Sequence, residues 1–147
     1  MNGFIEQLII DAVRELLTGL VNELLGDFEF HIPLIEFSNY SGINSIVPLI
    51  SLSSCERTEK ERIIKHDAYS LTINFCFPET PESEIFCYAY ASVITKVFED
   101  NPTLIGIADR ALITGKKYNF PKKPNCGQEY ELIINTRISI EGINHGS

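Results

Sequence analysis

The chain has 147 residues, the length of one domain that can bury a core without covalent staples. A hydrophobic fraction of 44% excludes intrinsic disorder as a description of the whole chain. The net charge of −8 repels phosphate at long range, which disfavours non-specific nucleic-acid binding and leaves room only for a local basic patch.

The first predicted element is a helix over residues 3–25 with Asn2 as its N-cap. Its apolar residues fall on two rows, 5-9-13-17-21-25 and 8-12-16-20-24. A repeat of four exceeds the helix's own 3.6, so a straight helix winds this stripe by about 200° over five steps. One flat sheet cannot cover such a stripe. Either another helix or the chain's own loops cover the remainder, or one end of the helix docks on a second subunit. Glu6, Asp11, Arg14, Glu15 and Glu23 rule the segment out as a bilayer-spanning helix.

Gly26 and Asp27 end the helix, and Phe30, Ile32 and Leu34 then alternate with His31, Pro33 and Ile35. That period of two predicts a strand, placed at an edge or given a bulge by Pro33. Residues 37–44 are a turn-rich loop, and residues 46–55 form a second strand. Charge alternates along residues 56–67, as in a solvated hairpin or short exposed helix, or in an arm that touches a neighbouring subunit. Residues 46–77 together read as a long hairpin.

Tyr69, Leu71, Ile73, Phe75 and Phe77 alternate with Ser70, Thr72, Asn74 and Cys76, the pattern of a strand buried on one face. Thr80 as N-cap and Pro81 at the first helical position start a second helix. Phe86, Ala89, Tyr90, Val93, Ile94 and Val97 give that helix one apolar stripe for the strand's buried face. Asp100-Asn101-Pro102 stops it. A strand over residues 109–119 follows a connector, and after a turn the final strand alternates Tyr130, Leu132, Ile134, Thr136, Ile138 and Ile140 with a polar face. Residues 144–147 are expected to be disordered. The order α-β-β-β-α-β-β predicts one α+β domain over 1–147. It is a two-layer sandwich with an antiparallel or mixed sheet of about five strands and two helices on one face.

Chemistry is sparse. Cys55 or Cys76 with His66 and Asp67 could be written as a nucleophile, base and acid, but no nucleophile elbow accompanies them. Cys55, Cys76, Cys87 and Cys126 lack C-x-x-C spacing and no signal peptide precedes them, so they read as free thiols in a reducing cytoplasm. Glu129 and Glu131 project from one face of the final strand as a carboxylate pair or as solvated residues. Arg110, Lys116, Lys117, Lys122 and Lys123 place five of the twelve basic residues in a Pro-rich connector. With Tyr118 and Phe120 between them, they serve solubility or contact a partner, an acidic protein before nucleic acid.

Three stretches carry a family resemblance. The polar arm Ser54-Cys55-Glu56-Arg57-Thr58-Glu59-Lys60-Glu61-Arg62 feeds the strand at 69–77. The second helix ends in Asn101-Pro102-Thr103-Leu104-Ile105-Gly106-Ile107-Ala108-Asp109, similar to a "helix, then D/N-P-T-L-x-G-x-A" connector, and residues 118–127 precede a long alternating strand. Over about residues 45–142 the chain resembles the tail terminator proteins of long-tailed bacteriophages and prophages.

The resemblance implies a non-enzymatic virion-tail protein without cofactors, made in the bacterial cytoplasm. It implies a homo-oligomeric ring, typically hexameric, that caps the tail-tube protein, ends its polymerisation and offers a surface to the head-completion or neck protein. DNA passes through without specific binding, and no membrane is involved. On this reading Arg57, Lys60, Arg62, Lys116 and Lys117 are candidates for subunit or partner contacts. Glu129, Glu131 and Arg137 are candidates for an acidic lumen wall. Another tail-tube or neck ring component is an alternative, as is a small ligand-binding or enzymatic α+β domain using Cys76, His66 or the basic connector.

Overall fold

The computed structural model describes residues 4–37, 45–59 and 64–143. The Asn2 cap, most of the 37–44 loop, Lys60, Arg62 and the 144–147 tail lie outside the described residues.

Helix α1 resolves its winding stripe by changing pitch. It runs as an α-helix over Ile5–Leu16, as a π-helix over Leu17–Val21 and again as an α-helix over Asn22–Leu25. The i→i+5 bonds of a π turn take in extra residues per turn and reduce the drift that a four-residue repeat accumulates. The first row therefore stays inside: Ile9, Val13, Leu17, Val21 and Leu25 are buried, and Ile5 packs partly against the same core. The second row is buried at Ala12 and Leu16 and exposed at Leu8 and Leu20. The chain itself thus covers most of the stripe.

The expected strand at 30–35 is reduced to β1 (Leu34–Ile35), which pairs in parallel with β2 (Ser45–Ile46). Phe30 and Leu34 face outward, while Ile32 and Ile35 enter the core. The cause is Asn22, whose side-chain amide donates to the Ile35 carbonyl at 2.8 Å and accepts the Ile35 N–H at 2.8 Å. One side chain thus takes the place of a neighbouring strand and ties the segment to the helix end.

The main sheet holds β3 (Leu49–Glu59), β4 (Ile64–Phe77), β5 (Arg110–Asn119) and β6 (Tyr130–Ile143), all antiparallel in the order β3-β4-β6-β5. The architecture is α+β as expected, with four strands in the main sheet and the small parallel pair beside it among the described residues. Tyr69, Leu71, Ile73, Phe75 and Phe77 from β4 join Leu132, Ile134 and Ile138 from β6 in one buried cluster with both helices. Thr136 is buried in the same row because its hydroxyl donates to the Leu71 carbonyl at 3.0 Å.

Helix α2 (Ser83–Asp100) begins later than Pro81. Thr80 and Ser83 first close a turn: Thr80 N–H donates to Ser83 Oγ at 3.0 Å, and Thr80 Oγ1 accepts the Glu82 N–H at 3.3 Å. The connector after α2 is wound left-handed at Leu104 (φ 49°), Ile105 (φ 60°) and Gly106 (φ 88°). A left-handed conformation costs a non-glycine residue roughly 1–2 kcal/mol. Burial of Leu104 and Ala108, and bonds from the Gly106 and Ala108 N–H groups to the Thr103 carbonyl, hold it in place.

Candidate functional site: a bare sheet face and its two edges

Both helices pack on one side of the sheet, and among the described residues the other side has no second layer. The alternation that sends β4 and β6 apolar residues inward puts Ser70, Thr72, Asn74, Asn135 and Arg137 on this bare face. Thr72 Oγ1 donates to Asn135 Oδ1 at 3.1 Å. Glu131 is gripped from both neighbouring strands, accepting from Asn74 Nδ2 at 2.7 Å and Asn119 Nδ2 at 2.8 Å. Those two bonds, Asn119's first, hold its carboxyl below the usual range.

The three lumen candidates are not equivalent. Glu131 and Arg137 lie on the bare face of β6, with Arg137 exposed. Glu129 stands in the preceding loop rather than on the strand, and is exposed. Lys117 shares the face from β5, opposite Ile133. The bare face is therefore polar and mixed in sign. That loop is anchored by Glu79, whose carboxylate accepts the Asn125 N–H at 2.7 Å and the Gly127 N–H at 3.1 Å.

At the far end of the sheet the described parts of the charged run lie on β3 and β4, which pair antiparallel as in the hairpin that was one of its expected forms. Arg57 and Asp67 sit opposite each other and pair through two bonds, Nε to Oδ1 at 2.6 Å and Nη2 to Oδ2 at 2.8 Å. Arg57 is thus engaged within its own chain. Its guanidinium holds the Asp67 carboxyl below the ordinary value of 3.8. A carboxyl lowered on folding stabilises the fold fully above its ordinary value, and this contribution is lost as pH falls through the lowered one. The melting temperature of Asp67→Asn should accordingly decline less steeply than that of the wild type over this acid range. Parallel profiles would show that the pair contributes nothing.

The cysteine–histidine arrangement is not assembled. Cys55 and Asp67 lie on the helix side of the sheet, whereas His66 lies on the bare side. Cys76 stands ten positions from His66 on β4, roughly 33 Å at 3.3 Å per residue. Burial, with Glu129 and Glu131 nearby, pushes the Cys76 thiol up, which disfavours the nucleophilic thiolate. Cys87 is fully buried in α2 and its thiol is pushed up to about 12 by that burial. All four cysteines are free.

The basic cluster is split, which corrects its placement in a connector. Arg110, Lys116 and Lys117 belong to β5, an edge strand, and Lys122 and Lys123 to the turn beyond it. Lys116 pairs with Ile134 on the helix side, while Lys117 faces the bare side. The Tyr118 ring lies 5.6 Å from Tyr88 and 5.7 Å from Phe120. Tyr88 was not legible as a member of this group, because its helical neighbours give no sign of a strand beside it. Among the described residues no helix is long and apolar enough to cross a membrane. No known protein-family model matches the sequence, and no curated protein matches it.

Proposed function

We propose that this chain is the tail terminator of a long-tailed bacteriophage or prophage, forming a ring of six on the last layer of the tail tube. The observation that supports the reading is a sheet that, among the described residues, has a whole polar face uncovered and an edge, β3, without a further strand. A domain that fills its core with two helices on one side has a flat, hydrophilic surface left for a channel wall. Its β3 edge, set against a different surface of the next copy, suits a heterologous contact, which closes into a ring when the rotation permits.

The mixed charge of the bare face fits DNA passage. A wall with carboxylates and cations interspersed neither holds phosphate nor repels it strongly. The three stretches of family resemblance support the same reading, and the ring would present one rim to the tube and the other to the head-joining protein. A phage carrying a stop codon in this gene should make tails of uncontrolled length that fail to join filled heads, and supplying the chain in trans should restore both. Normal-length, headed tails without the protein would overturn the proposal. Normal-length tails that still fail to join heads would instead favour a neck component.

A further inference from the structure

A groove runs along β5 between that strand and α2. Its deeper half has a volume of about 610 Å³, with Phe98, Arg110, Ile113 and Lys116 among its walls. A shallower half of about 540 Å³ continues past Lys116 to Tyr88 and Tyr118. Both halves fall in the size range of ligand and peptide sites. The chain itself pairs with the outer side of this strand once, where the Ala111 N–H donates to the Pro102 carbonyl at 2.6 Å. Beyond that bond, β5 has no outer neighbouring strand among the described residues.

We infer that this groove binds an extended acidic peptide segment of a partner protein, which adds a fifth strand beside residues 113–119. The unpaired main-chain groups of an edge strand supply the backbone bonds, and the two-residue period of the guest sends alternate side chains toward α2. The bulge at Thr114 makes this arrangement possible. It shifts the register between Ile113 and Gly115, so that Ala111, Ile113, Lys116 and Tyr118 all face the helix side. The guest therefore meets an apolar site at Ile113 and Phe98, then the Lys116 ammonium, then the Tyr88 and Tyr118 rings, which are 47% and 40% exposed.

Charge selects the guest. The molecule carries −8 overall, yet Arg110, Lys116 and Lys117 concentrate cations along this one edge. An acidic segment is repelled by most of the surface and attracted here. Glu99 lines the helix side of the groove, so the guest's carboxylates fit against the strand. The inference stands whether or not the chain caps a tail tube.

The test uses the whole chain and a fluorescein-labelled synthetic peptide alternating glutamate with valine and tyrosine. Fluorescence anisotropy should show saturable binding that weakens with added salt. Amide hydrogen exchange should slow at 113–119 and not along β3. Lys116→Glu combined with Lys117→Glu alters two exposed side chains and should weaken binding at least about tenfold, equivalent to 1.4 kcal/mol. The charge-reversed protein should then prefer a lysine version of the peptide, a swap that misfolding cannot produce. Absence of binding, equal binding by the charge-reversed protein, or protection on β3 would overturn the inference. So would self-association through β5 that the acidic peptide fails to displace, which would assign the edge to a second copy of the chain.

Discussion

Replacing Tyr90 by alanine is expected to cost about 4 kcal/mol of folding stability, the range for emptying a buried aromatic site. Tyr90 is fully buried in α2, and its ring centroid lies 5.1 Å from those of both Phe75 and Phe77 on β4. Its hydroxyl donates to the Pro33 carbonyl, so one side chain joins the sheet, the second helix and the segment that follows α1. Burial keeps the phenol protonated by pushing its pKa well up. The alanine variant leaves a cavity between the layers and a carbonyl without its donor. Tyr90→Phe keeps the ring and isolates the hydrogen bond, which should cost about 1 kcal/mol. Urea unfolding measures both. An alanine variant within about 1 kcal/mol of the wild type would mean that the two layers are not packed through this residue.

The second large effect is functional. Glu129→Lys with Glu131→Lys turns two negative charges into two positive ones per subunit, one on the face that already carries Lys117 and Arg137 and one in the loop that leads into it. If that face lines the channel, the variant ring presents DNA with a cationic wall. Phosphate contacts are then favourable at every step of passage. Ejection should slow by about tenfold or more, since each 1.4 kcal/mol of added hold is a factor of ten. Glu131→Gln is the control. It removes one charge and keeps an amide oxygen for Asn74 or Asn119, so it should leave passage near normal. Unchanged ejection kinetics in the lysine variant, with tails assembled normally, would remove the bare face from the lumen.

The elements that one-sided burial shapes were readable from the sequence. The β4 and β6 strands write their buried faces at a period of two because one face meets helices and the other meets water. The segment at 30–35 shows the same alternation and does not use it. Asn22 supplies the Ile35 backbone bonds from a helix, and no periodicity reports a side chain that stands in for a strand on that side. The four-residue repeat of α1 was legible as a winding stripe, whereas the π turn that reduces the winding was not. Its location at Leu17–Val21 depends on how the helix meets its neighbours.

The candidate surfaces were legible to different depths. The polar face of β6 could be read from Glu131, Asn135 and Arg137, and register adds Lys117 from the neighbouring strand. The β5 groove could not be read at all. The bulge at Thr114 reverses which residues face the helix, so a strict period of two misassigns everything after it. Arg57 was a contact candidate by composition, and register alone reveals Asp67 opposite it.

The central claim is that the chain acts by tiling against copies of itself at the end of a tube. Electron microscopy of tail-tube subunits polymerised with and without the purified protein tests it most directly. The account predicts tubes that stop growing once the protein is added, each with a ring-shaped cap at one end. Tubes that lengthen unchecked with their ends bare would contradict it.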